Sequence, residues 1–263
     1  MLSKLLKYDL KYMLKSMSIF YILSIFFAIT TRILFSLEQT VVINVIGQIS
    51  VGTMISMMAS TLINTLMRSW IRFKESIYGD ESYLTHTLPV NKNTIYQSKF
   101  LLTFIYTLVA FIVIIAGLFI AYYTDERWLM LKELINNIGG SLNISTLPFV
   151  ASVIVVLFLE IFNIIQSGFL GIILGHKKGN NKIALSVLFG FITYIITQNF
   201  AVIAIFISGV FNKDIMSLFT SSTIQDVNII KTIVSLAAII YLAINILVNI
   251  ICVKFLKTGV NVE

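Results

Sequence analysis

Six uninterrupted apolar runs, over residues 17–37, 41–67, 100–123, 147–174, 183–210 and 229–253, constrain this chain more than any other feature. Each meets or exceeds the ~20 residues that a helix needs to cross about 30 Å of hydrocarbon. Inside a bilayer no water satisfies the backbone, so only helices and closed barrels can span it. A barrel would show alternating segments of about ten residues, whereas these runs are continuous. Two prolines in 263 residues leave the helices without breakers. The expected fold is all-α, a polytopic membrane protein with six transmembrane helices. Composition agrees: 12% of residues are charged, against about one quarter in soluble domains.

Basic residues give the expected orientation. Lys4, Lys7, Lys11 and Lys15 precede the first run, Arg68, Arg72, Lys74, Lys92 and Lys99 follow the second, Lys177, Lys178 and Lys182 follow the fourth, and Lys254 and Lys257 close the last. The opposite side holds Arg32, Arg127, Lys132, Lys213 and Lys231. The positive-inside rule then puts both termini in the cytoplasm. The same placement accounts for the net charge of +7 without nucleic acid as a partner. The first run is read as a retained span rather than a cleaved signal. Cys252 stands alone, which excludes an internal disulfide and reads as small packing. No metal site is expected.

Residues 1–16 are read as an amphipathic interfacial helix and 17–263 as the six-helix membrane domain. At about 100° per residue, Lys4, Lys7, Lys11 and Lys15 fall within roughly 80° of one another. Leu2, Leu5, Leu6, Leu10 and Met13 take the other side. Such a helix suits anionic membrane lipids; the plainer reading is a basic topogenic flank. Outside the membrane the expected segments are a cytoplasmic loop at 68–99 and outer loops at 124–146 and 211–228. None accommodates a separate catalytic domain.

The 68–99 loop is too polar to span and too apolar to be a free linker. Gly79 can end the preceding helix, Asp80 can cap a short helix through Ser82, Tyr83, Leu84 and Thr85, and Asn91 or Asn93 can cap the next. Tyr78, Tyr83 and Leu84 form a set suited to a groove on a partner, or to packing on the chain's own bundle.

The run Tyr78-Gly-Asp-Glu-Ser-Tyr-Leu-Thr-His-Thr-Leu-Pro-Val90, with Ser98-Lys99 entering the next span, resembles the loop of bacterial type-two ATP-binding-cassette (ABC) permeases. The short six-span permeases of low-GC Gram-positive bacteria look most similar, including exporters of amphipathic peptide toxins. The resemblance implies that Tyr78, Gly79, Asp80, Glu81, Tyr83, Leu84 and Leu88 form a coupling helix that seats on a nucleotide-binding subunit. It implies a second permease subunit, identical or related, and the bacterial plasma membrane as location. The chain has no G-x-x-x-x-G-K-[ST] phosphate loop. It is therefore expected to be no enzyme and to bind no cofactor, with ATP and Mg on the partner subunit.

Polar residues inside the runs are the remaining candidates. Glu160 lies near the middle of the fourth, followed by Asn163 and Gln166. A carboxylate at mid-bilayer costs about 2.5–3.5 kcal/mol on insertion scales, so it should face a cavity, a partner or the bundle interior. The three residues are candidates for a translocation path or gate, or for helix–helix hydrogen bonds. Thr53, Ser56, Ser60 and Asn64 share one face of the second run and read as close helix packing or as lining of a translocation path, with packing the default; Asn245 and Asn249 read as a similar packing pair. Two other classes compete. An intramembrane enzyme lacks a constellation, because His86 and His176 both fall in loops. A secondary transporter would show paired charges and an inverted repeat. An ABC permease conferring immunity to antimicrobial peptides shares every feature of the exporter.

Overall fold

The computed structural model describes residues 2–38, 40–87, 90–138, 146–178, 181–212, 215–216 and 227–258. Regular structure among them is helical throughout. The named helices are α1 (Leu2–Ser36), α2 (Val41–Ile77), α3 (Ser82–Thr87), α4 (Lys92–Tyr122), α5 (Asp125–Ile138), α6 (Thr146–Lys177), α7 (Lys182–Phe211) and α8 (Val227–Lys257). Helices α1, α2, α4, α6, α7 and α8 are each long and apolar enough to cross a membrane. Their outer surfaces suit lipid: α7 alone exposes Ile183, Val187, Phe191, Ile196, Phe200 and Ile203. A face this apolar is not tolerated in water. The chain is a multi-pass membrane protein.

Two compact units divide the chain, residues Met1–Arg127 and Trp128–Glu263. In the first, α1 packs along both α2 and α4. Met13 and Met17 of α1 meet Leu102 and Tyr106 of α4, and the Tyr106 hydroxyl donates to the Leu10 carbonyl at 2.6 Å. Further along, Ala28, Met54, Met58 and Ala121 close a second core. In the second unit, α6 packs on α7 and α8. Gly171 and Gly175 make the α6–α7 approach possible. A Cβ on Gly171 would lie 2.5 Å from the Ser186 carbonyl oxygen, and one on Gly175 would lie 2.5 Å from the Ser186 nitrogen. Cys252 is fully buried on α8, as its reading as a packing residue requires.

Several local expectations differ from the structure. Residues 2–16 are helical and continue without a break into the first span, α1 being one element of 35 residues; without Gly or Pro between Lys7 and Ile22, nothing stops the helix. Its lysines are exposed. Part of the 124–146 segment is helix α5, begun where Thr124 Oγ1 accepts from the Arg127 backbone N–H at 3.2 Å. Residues 139–145, 213–214 and 217–226 of the outer loops lie outside the described residues. His176 is no loop residue: it ends α6, is buried, and its Nδ1 lies 2.9 Å from the Ile172 carbonyl.

The polar face of α2 also differs. Thr53 and Ser56 bond back to the Ile49 and Gly52 carbonyls of their own helix, and the Asn64 amide donates to the Ser60 carbonyl. The helix–helix contacts come from the neighbouring stripe. Thr61 faces Ser24 at 2.9 Å and Ser50 faces Thr31 at 2.9 Å.

Candidate functional site

Helix α2 has 37 residues, roughly 55 Å at 1.5 Å per residue. It is therefore long enough to tilt within, or to project beyond, a hydrocarbon layer of about 30 Å. Its carboxy-terminal end, the start of α1, the start of α4 and the short α3 form one assembly in the first unit.

Asp9 is the centre of that assembly. It lies on α1 among the exposed lysines, yet it is 3% exposed. Its Oδ1 accepts from Arg72 Nε at 2.9 Å and from Arg72 Nη2 at 2.7 Å. Its Oδ2 accepts from Lys99 Nζ at 2.6 Å. The third face of the Arg72 guanidinium donates from Nη1 to Glu81 Oε1 at 2.7 Å, and its carbon stands 4.5 Å from the centre of the Tyr12 ring. Two carboxylates thus meet two cations, drawn from α1, α2, α4 and the turn before α3. Buried charges persist only when paired and hydrogen-bonded in this way.

An aromatic pad lies beside the charges. Phe73 and Tyr96 meet edge to face at 6.1 Å between ring centres. Ile77, Tyr78 and Ile95 are buried as well. Tyr78 caps α2, its N–H donating to the Lys74 carbonyl at 2.8 Å. Gly79 follows, and a Cβ there would lie 3.0 Å from the Glu75 Cα; the tight exit from α2 favours glycine. Helix α3 starts at Ser82, whose N–H donates to the Gly79 carbonyl at 2.9 Å. Asn91 takes the N-cap position of α4 through its backbone.

The residues of the 78–88 segment therefore divide. Tyr83 is 68% exposed and available to a partner. Asp80 and Glu81 are exposed, with Glu81 tied to Arg72. Tyr78, at 1% exposed, faces inward and braces the turn instead of being offered outward. The Leu84 side chain and Leu88 lie outside the described residues.

The membrane candidates are in the second unit. The Thr197 hydroxyl donates to Asn163 Oδ1 at 2.9 Å, and Gln166 donates to Asn245 Oδ1 at 2.9 Å. Asn245 in turn donates to the Leu159 carbonyl at 3.0 Å and the Tyr241 carbonyl at 2.8 Å. Asn163 and Gln166 are fully buried and join α6 to α7 and α8. Glu160 stands apart: it is half-buried and has no hydrogen-bond or ion-pair partner among the described residues.

Sequence reasoning missed Asp9; it counted Arg72 only as an orienting charge, and Lys99 as an orienting charge and as part of the loop resemblance, with no ion pair expected of either. The available signal was a lone acid on a basic helix, which acquires meaning only with its partners. Among the described residues no group of three His, Cys, Asp or Glu side chains could hold a metal ion. No family model matches the chain, and neither a curated protein nor a solved structure matches it.

Proposed function

We propose that this chain is the membrane-spanning permease subunit of a bacterial ABC exporter, working with a separate nucleotide-binding subunit and a second permease. Its termini are then cytoplasmic. The carrying observation is the short α3, held between two long helices and tied through Glu81 and Arg72 to Asp9 of α1. A partner that pushed on α3 would move a braced element, and the ion pairs would pass that movement to α1, α2 and α4. The sequence of this segment resembles the coupling loop of type-two ABC permeases, including exporters of amphipathic peptide toxins. ATP and Mg would be bound by the partner, and an amphipathic peptide is the substrate class in view, for secretion or for immunity.

The test is co-expression with a cassette ATPase encoded beside this chain. Co-purification, with ATP hydrolysis reduced at least several-fold by Tyr83→Ala and Leu84→Ala, is the expected result. A chain that purifies without any cassette protein would overturn the proposal. The second reading is a secondary transporter, favoured by one observation, that Glu160 has no hydrogen-bond or ion-pair partner among the described residues. It requires that Glu160→Gln abolish transport without any cassette present.

A further inference from the structure

We propose that a groove between α1 and α2 binds one phosphate group, supplied at this depth by the headgroup of an anionic phospholipid. The inference stands apart from the permease reading and needs no cassette partner. The groove encloses about 220 Å³, ample for more than a single water. Ser16 of α1 and Asn64, Arg68 and Arg72 of α2 supply its polar lining. Met67 and Ile71 supply apolar wall.

The two arginines stand one helical turn apart and differ in their bonding. Arg72 is paired with both Asp9 and Glu81. Arg68 has no carboxylate or hydrogen-bond acceptor among the described residues. Its Nε is buried, and its guanidinium carbon lies 5.9 Å from the centre of the Phe20 ring. Across the groove the Ser16 hydroxyl is also buried without a partner. Buried donors left without acceptors are costly and call for a guest. Among the described residues no acidic side chain lines the groove, so an acceptor supplied from outside the chain and carrying negative charge fits it. Arginine's planar fork matches phosphate oxygens.

Position selects the source. Arg68 follows directly on the apolar run of 41–67, at the level where lipid phosphates sit. Lys11 and Lys15 are exposed on the adjacent helix but lie outside the groove's lining. Basic pockets between membrane helices hold headgroups in this manner. The groove's apolar wall can receive the glycerol and the start of an acyl chain.

The experiment is native mass spectrometry of the full purified chain with phosphatidylglycerol, phosphatidylcholine or inorganic phosphate. The wild-type chain is expected to retain one phosphatidylglycerol at least tenfold better than phosphatidylcholine. Arg68→Gln is expected to lower that retention about tenfold and Ser16→Ala to lower it less, while Lys11→Gln with Lys15→Gln preserves it. Displacement of the lipid by millimolar inorganic phosphate would support the phosphate site and assign its guest to solution. Equal retention of the two lipids would overturn the proposal. So would retention that is lost with the lysines but kept in Arg68→Gln. Should Arg68→Gln fail to fold, the wild-type lipid comparison and Ser16→Ala still decide.

Discussion

Asp9 and Arg72 lie 63 positions apart in the chain, yet two nitrogens of the guanidinium converge on one carboxylate oxygen, at 2.9 and 2.7 Å. With Lys99 on the other oxygen, the pair fixes three long helices at one end of the first unit. Breaking a buried pair by removing one member typically costs about 3–5 kcal/mol, since the remaining charge is stranded. Asp9→Asn is expected to cost that much and to lower the thermal unfolding midpoint of the purified chain sharply. Glu81→Gln, at an exposed position, should cost no more than about 1 kcal/mol. Adding Lys99→Met to Asp9→Asn removes one stranded cation and should recover part of the loss, in a non-additive way.

Tyr78 and Tyr83 are five residues apart and should behave oppositely. Tyr78 is buried against the end of α2, so Tyr78→Ala opens a cavity worth about 3–5 kcal/mol, the scale of large aromatic truncations. Tyr83 is exposed, and Tyr83→Ala should leave stability within about 0.5 kcal/mol. Thermal unfolding beside cassette co-purification separates the two: Tyr83→Ala should lose the partner while remaining folded.

Gly171 is the tightest test of the α6–α7 contact. Any side chain there meets backbone atoms of α7, which cannot rotate away. Gly171→Val should cost at least the ~1–3 kcal/mol of ordinary overpacking and deplete the monodisperse peak in size-exclusion chromatography. Gly52→Ala is the control. A Cβ there meets nothing within 4 Å, and removing a helical glycine should be neutral or favourable by up to about 1 kcal/mol.

Gln166 and Asn245 offer a double-mutant cycle within the second unit. Polar pairs between membrane helices average about 0.6 kcal/mol of interaction, with a maximum near 1.7. Gln166→Leu and Asn245→Leu, alone and together, should give a coupling in that range. Asn245→Leu should cost more alone, because its amide also reaches the Leu159 and Tyr241 carbonyls.

How far the sequence alone carried depended on the range of the signal. The six spans were legible because hydropathy accumulates over twenty neighbouring residues and requires no partner. The short helix after Gly79 was legible from turn chemistry. The stripe joining α2 to α1 was not: Thr53, Ser56, Ser60 and Asn64 have the same periodicity as Ser50, Thr61 and Thr65, and only the position of α1 distinguishes them. Helix α5 was hidden because a helix of 14 residues with mixed charge resembles a polar loop. Asp9 was hidden by its neighbours, since an acid among lysines looks like local charge balance. Its burial is decided by residues 63 and 90 positions later.

That separation has a consequence for biosynthesis. Asp9 leaves the ribosome 90 residues ahead of Lys99, a delay of about 5–18 s at 5–20 residues per second. Arg72 of α2 is made 27 residues before the cation on α4 exists. Asp9 can meet Arg72 of α2 first, and the link from α1 to α4 through Lys99 closes only once the third long helix has been made.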